Sequence, residues 1–98
     1  MAEMETRLYA LQYSMGDKTS FSKWEDAQQR LKEAENQDDY TKNVWVSGGY
    51  MHMAEALIGS DNDKARSLLA DAMTVIGDNE AYALRGGQIE ALLERTTQ

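Results

Sequence analysis

The chain is expected to be all-α: about five short helices in antiparallel hairpins, forming a single helical domain over residues 1–98. Three observations predict this. Proline is absent, so no position forbids an uninterrupted helix. Apolar residues recur at three- and four-residue intervals over most of the length, which is the period of a helix face. Short clusters of Gly, Ser, Asp and Asn separate these stretches, and connections this short imply hairpins between neighbouring helices.

Residues 4–15 open the chain with two competing patterns. Leu8, Leu11 and Met15 suit a helix face, whereas Tyr9, Leu11, Tyr13 and Met15 alternate as a strand would. The helix is preferred, and Gly16-Asp17-Lys18-Thr19 ends it. A second helix is expected from Ser22, an N-cap residue with Glu25 three places on to complete a capping box. Trp24, Ala27, Leu31 and Ala34 form its narrow apolar seam, and Asn36-Gln37-Asp38-Asp39 ends it and caps the next. Residues 40–58 follow, with Val44, Trp45, Val46, Tyr50, Met51, Met53, Leu57 and Ile58 covering most of the circumference. A helix apolar nearly all round needs neighbours on nearly all sides. Gly59 terminates it. Ser60, with Asp63 at the capping-box position, opens a fourth helix whose core face is Ala65, Leu68, Leu69, Ala72, Met73 and Ile76. Gly77 is suited to its C-terminal turn, and Asp78 is expected to cap a last helix through Tyr82, Leu84, Ile89, Leu92 and Leu93, fraying at Thr96-Thr97-Gln98.

Two Gly-Gly pairs, Gly48-Gly49 and Gly86-Gly87, stand 38 residues apart inside these helical stretches. Glycine in a helix interior costs about 1 kcal/mol relative to alanine, so the expected reason is close approach of another backbone. The same offset carries Ala27, Leu31 and Ala34 onto Ala65, Leu69 and Ala72, as in a degenerate helical repeat.

Trp45-x2-Gly48-Gly49-x2-His52, followed by Ala65-x3-Leu69-x2-Ala72, resembles the tetratricopeptide repeat, with W-x2-L-G-x2-Y on its first helix and A-x3-F-x2-A on its second. Gly48 stands for the family leucine and His52 for its tyrosine, the usual proline is missing, and the spacing of 38 exceeds the family's by about four residues. The resemblance implies a groove lined by first helices. Carried onto this sequence, its positions are Asn43, Val46, Tyr50 and Met53, with Leu84 and Gln88 in the last helix. Such a groove suits an amphipathic helix or extended peptide. The array would end on a first-type helix, leaving Ile89, Leu92 and Leu93 uncovered unless the protein homodimerises through them.

Charge and chemistry narrow the function. Seventeen acidic residues against ten basic give −7, without the basic footprint that direct binding to nucleic acid or an anionic membrane demands. No cysteine exists for a disulfide or thiolate site, no apolar run approaches a membrane span, and the acidic start lacks a signal peptide's pattern, so a cytoplasmic location is expected. His52 is the only histidine; with Glu55 it offers too few ligands for a metal, and it cannot build a catalytic triad. Asp61-Asn62-Asp63 fails the calcium-loop pattern at Ala65, Arg66 and Ala72. Glu33, Glu35, Asp38 and Asp39 suit a solvated helix end. Neither enzyme nor cofactor is expected. The expectation is a protein–protein interaction module (an adaptor, small chaperone or inhibitor) that binds a partner helix or peptide through an apolar helix face. The alternative is an acidic decoy of nucleic acid, of the kind phage-encoded inhibitors use to block a basic site.

Overall fold

Residues 4–15 resolve their two patterns in favour of the helix: α1 runs Ala2–Ser14, with Met15 continuing its last turn through N–H bonds to the Leu11 and Gln12 carbonyls. The computed structural model describes residues 2–35 and 37–97. Met1, Asn36 and Gln98 lie outside them, and with them Asn36's expected part in ending the second helix and Gln98's in the frayed end. The other helices are α2 (Ser20–Lys32), α3 (Asp39–Leu57), α4 (Asn62–Ile76) and α5 (Ala83–Arg95), the last entered through one 3-10 turn, Glu80–Tyr82. Among the described residues there is no strand. The fold is an all-α small helical bundle.

Helix starts differ from the expected caps by one to three residues: a neighbouring acceptor takes over at α4 and at the turn before α5, while α2 starts without a side-chain cap. α2 begins at Ser20, not after Ser22: the Asp17 carboxylate receives the Thr19 N–H at 3.1 Å, and the Ser20 hydroxyl donates to the Asp17 carbonyl at 2.7 Å. Ser22 lies inside the helix and donates to the Thr19 carbonyl. Asp38 caps α3 as expected, accepting from Thr41 N–H. α4 is capped by Asp61 rather than Ser60, because the Asp61 carboxylate accepts from Lys64 N–H while Asn62 Oδ1 takes up the Gly59 N–H. The 3-10 turn before α5 is capped by Asn79, not Asp78. Gly16 and Gly59 reverse the chain at φ +107° and +94°, a region that a side chain would strain.

The helices form two layers, and α3 occupies the centre. It packs against α1, α2, α4 and α5, as a helix apolar around its circumference requires. α1, α3 and α5 lie side by side; α2 packs on α1 and α3, and α4 on α3 and α5. The Cα envelope is 34 × 28 × 15 Å, and its short dimension is what two helix layers about 10 Å apart occupy. Trp24, Met53, Ala54, Leu57, Leu69, Ala72, Ile76, Ile89 and Leu92 are among the residues buried between the layers.

The Gly48-Gly49 pair admits side chains, not another backbone. A Cβ on Gly49 would stand 1.9 Å from Gln28 Oε1, and one on Gly48 3.2 Å from an Arg85 guanidinium nitrogen. The buried Gln28 amide lies across α3 and donates to the Val46 carbonyl at 2.8 Å, and the Trp24 indole donates to the Gly49 carbonyl at 3.1 Å. Thus α2 is fastened to α3 by two side chains, one of which, Gln28, a larger residue at 49 would displace. Gly86-Gly87 has no such role: nothing lies within 4 Å of a Cβ on Gly87, and Gly86 meets only Ile76 Cδ1 at 3.7 Å.

Candidate docking surface

α1 is apolar on two opposite faces. Thr6, Ala10 and Tyr13, with Tyr9, point towards the other helices and are buried or half-buried. On the far side Met4, Leu8, Leu11 and Met15 recur at helical spacing and remain 66, 48, 57 and 78 % exposed. Scattered exposed apolar residues are ordinary on a protein surface, but four in register along one helix form a continuous ridge. Its flanks hold little charge. Gln12 lies on the α2 side, together with Glu5, whose carboxylate is bonded to Arg30 of α2. That hydrogen bond, opposed in part by desolvation and aided by Arg30's charge, holds the Glu5 carboxyl below its usual range and the Arg30 guanidinium above its own.

On the other flank the ridge descends into a groove between α1 and α3. A cavity of about 510 Å³ is bounded there by Arg7, Leu8, Leu11, His52, Glu55 and Ala56. It continues past Arg7 and His52 into a smaller, more polar one of about 220 Å³ that reaches Trp45, Gly48 and Arg85. One wall is therefore leucine, and the far end carries two guanidinium groups. Arg85 is half-buried between α3 and α5; it reaches the Val44 carbonyl at 3.4 Å and Gln88 Oε1 at 3.2 Å, and no carboxylate pairs with it among the described residues. Its Nε is buried without a partner, and desolvation pushes the group below its ordinary pKa.

No family model matches the chain, and no curated protein or solved structure matches it either. The surface must therefore be judged on its own chemistry.

The residues carried over from the repeat resemblance do not form one groove. Val46 and Met53 are core residues, 4 % and 0 % exposed, because they lie on faces of α3 that its neighbouring helices cover. Tyr50 is half-buried in a cleft between α2, α3 and α4, ringed by Phe21, Trp24, Lys32 and Lys64. Leu84 and Gln88 line a different cleft of about 180 Å³, with Tyr40 and Tyr82, and Asn43 donates to the Tyr82 hydroxyl at its edge. Nor do Ile89, Leu92 and Leu93 form an uncovered face. Ile89 and Leu92 are buried in the core and Leu93 is half-buried against it, since α5 turns them onto α3 and α4.

Sequence reasoning passed over two exposed features. The first is the Met4–Met15 ridge: its spacing was visible at Leu8, Leu11 and Met15, but one helix carrying two apolar faces signals that one of them is left outside. The second is Tyr40, exposed and stacked on Tyr82 with ring centroids 5.3 Å apart. Among the described residues no group of three or more His, Asp or Glu is placed to hold a metal ion, and no helix is long and apolar enough to cross a membrane.

Proposed function

We propose that this protein is an interaction module that seats an apolar helix or segment of another polypeptide on α1 and in the groove between α1 and α3. The observation that carries the reading is the exposed ridge Met4, Leu8, Leu11 and Met15. α1 is attached to α2 and α3 by its opposite face, where Thr6 and Ala10 are buried. The side-by-side packing of α1, α3 and α5, with α2 and α4 in the second layer, supports a helical-hairpin array similar to tetratricopeptide repeats, in which first helices line the binding face. Adaptor, small chaperone and inhibitor all remain roles of such a module. The acidic-decoy alternative finds no comparable focus, because carboxylates occur on or beside every helix.

The test is affinity capture from the protein's native cell extract with two baits, the wild type and Leu8→Glu/Leu11→Glu. A protein retained by the wild type at high salt and lost on the variant supports the apolar docking face. Equal retention on both baits refutes it, and capture that disappears with salt favours the charge decoy instead.

A further inference from the structure

Along α1 the ridge is Met4-x3-Leu8-x2-Leu11-x3-Met15, which is the same sequence of residue types and spacings in both directions. Intervals of four, three and four are those of a coiled-coil seam. A palindromic seam is complementary to a copy of itself turned end for end. Met4 then falls opposite Met15 of the second copy and Leu8 opposite Leu11 of the second copy, with a twofold axis between Leu8 and Leu11. A single patch supplies both halves of such a contact.

The charges agree with that arrangement. In an antiparallel pairing Arg7 lies opposite Ser14 of the second copy, and Glu5 opposite Gln12 of the second copy, so no like charges meet across the seam. The acidic residues within the span of α1, Glu3 and Glu5, both lie off the seam positions 4, 8, 11 and 15. A basic amphipathic helix has less to recognise there, since Glu5 is already bonded to Arg30.

We propose that the α1 ridge is covered by a second copy of this chain, in an antiparallel, twofold pairing of α1 with α1. The inference rests on the reading of α1 as a docking face and names its occupant. It moves the self-association surface from the last helix, whose apolar residues are buried, to the first.

Sedimentation equilibrium of the wild type across micromolar to millimolar concentration is expected to show a monomer–dimer equilibrium that strengthens as salt screens the mutual repulsion. Leu11→Glu is expected to weaken association roughly 100-fold or more, because each dimer loses two buried leucines and gains two desolvated carboxylates. Its far-UV circular dichroism, and its melting at concentrations where the wild type is monomeric, are expected to stay unchanged. Register is read with Met4→Cys and Met15→Cys, which introduce the only thiols in the chain at exposed positions. Under mild oxidation the two variants should cross-link when mixed and far less when kept apart. A wild type that stays monomeric at every concentration overturns the proposal, as does a Leu11→Glu variant that still dimerises. Efficient cross-linking of each cysteine variant with itself overturns the antiparallel pairing. A monomer whose ridge still captures another protein in the two-bait experiment would sink the self-pairing and leave the docking face standing.

Discussion

Replacing Gly49 by alanine pits helix propensity against packing, and the geometry says which wins. Propensity alone favours alanine by about 1 kcal/mol in a helix interior. The new Cβ, however, would stand 1.9 Å from Gln28 Oε1 and 2.9 Å from its Cδ. Gln28 is only 3 % exposed, so its amide has no solvent to retreat into. Overpacking of this kind typically costs about 1–3 kcal/mol. Moving the amide also breaks its 2.8 Å bond to the Val46 carbonyl and strands a buried donor, for about another 1–3 kcal/mol. After the propensity gain the net loss is about 3 kcal/mol, or roughly 15–20 °C in Tm for a domain of this size. Urea denaturation followed by circular dichroism measures it. Gln28→Ala in the Gly49→Ala background should recover part of the loss, because the colliding atoms are gone; the double-mutant cycle isolates that coupling. A Gly49→Ala protein more stable than wild type would refute the argument, since only propensity would then be acting.

Gly87→Ala is the control for that reasoning: with nothing within 4 Å of its Cβ, the same substitution should stabilise by about 1 kcal/mol in the same urea assay. Arg85→Met should be neutral or stabilising by about 1 kcal/mol, because it keeps the aliphatic packing and removes a half-buried cation that no described carboxylate pairs with; a loss greater than 1 kcal/mol would show that the long bonds to Val44 and Gln88 outweigh desolvation. Glu5, bonded to Arg30, and Asp17, bonded to Thr19, both have folded pKa values below their ordinary ones. Their contribution is therefore complete above the unfolded carboxylate range and is lost as pH falls through the folded values, so the urea midpoint should drop below about pH 4, less steeply in Glu5→Gln than in the wild type.

How legible the fold was depends on whether each decision was local. The α3 stretch announced its central position because apolar residues cover its circumference, and that property needs no knowledge of neighbours. Gly16, Gly59 and Gly77 mark the turns because a positive φ is a local demand. Caps slipped by one residue where two acceptors competed, Asp61 against Ser60 and Asn79 against Asp78, and α2 starts at Ser20 with no side-chain cap at all. The choice between them depends on the loop's path, which sequence does not state. Gly49 was legible as a close approach but not as an approach by Gln28, eighteen residues from the carbonyl it binds. The candidate groove failed for a related reason. Val46 and Met53 have the right residue types for a binding face, but the turn into α5 buries Ile89 and Leu92 instead of exposing them, and covers that side of α3.

The same distinction separates what α1 needs for folding from what it presents outside. Burial of Ala10 and Thr6 and the packing of Tyr9 and Tyr13 attach α1 to α2 and α3, and Glu5 adds the bond to Arg30. None of these contacts involves the outer edge of the ridge. Met4 and Met15, the two most exposed of the four, can therefore be replaced by glutamine or lysine without removing a packed side chain. Substitutions at such surface positions usually change stability by no more than about 0.5 kcal/mol. Met4→Gln/Met15→Lys should thus unfold in urea at the wild-type midpoint when measured at concentrations where the protein is monomeric. At high concentration the two proteins should diverge, because a dimer stabilises the folded state by mass action and only the wild type retains the whole seam. A variant that unfolds early even when dilute would mean that the ridge belongs to the monomer's own packing, and α1 would then have no face left to offer a partner.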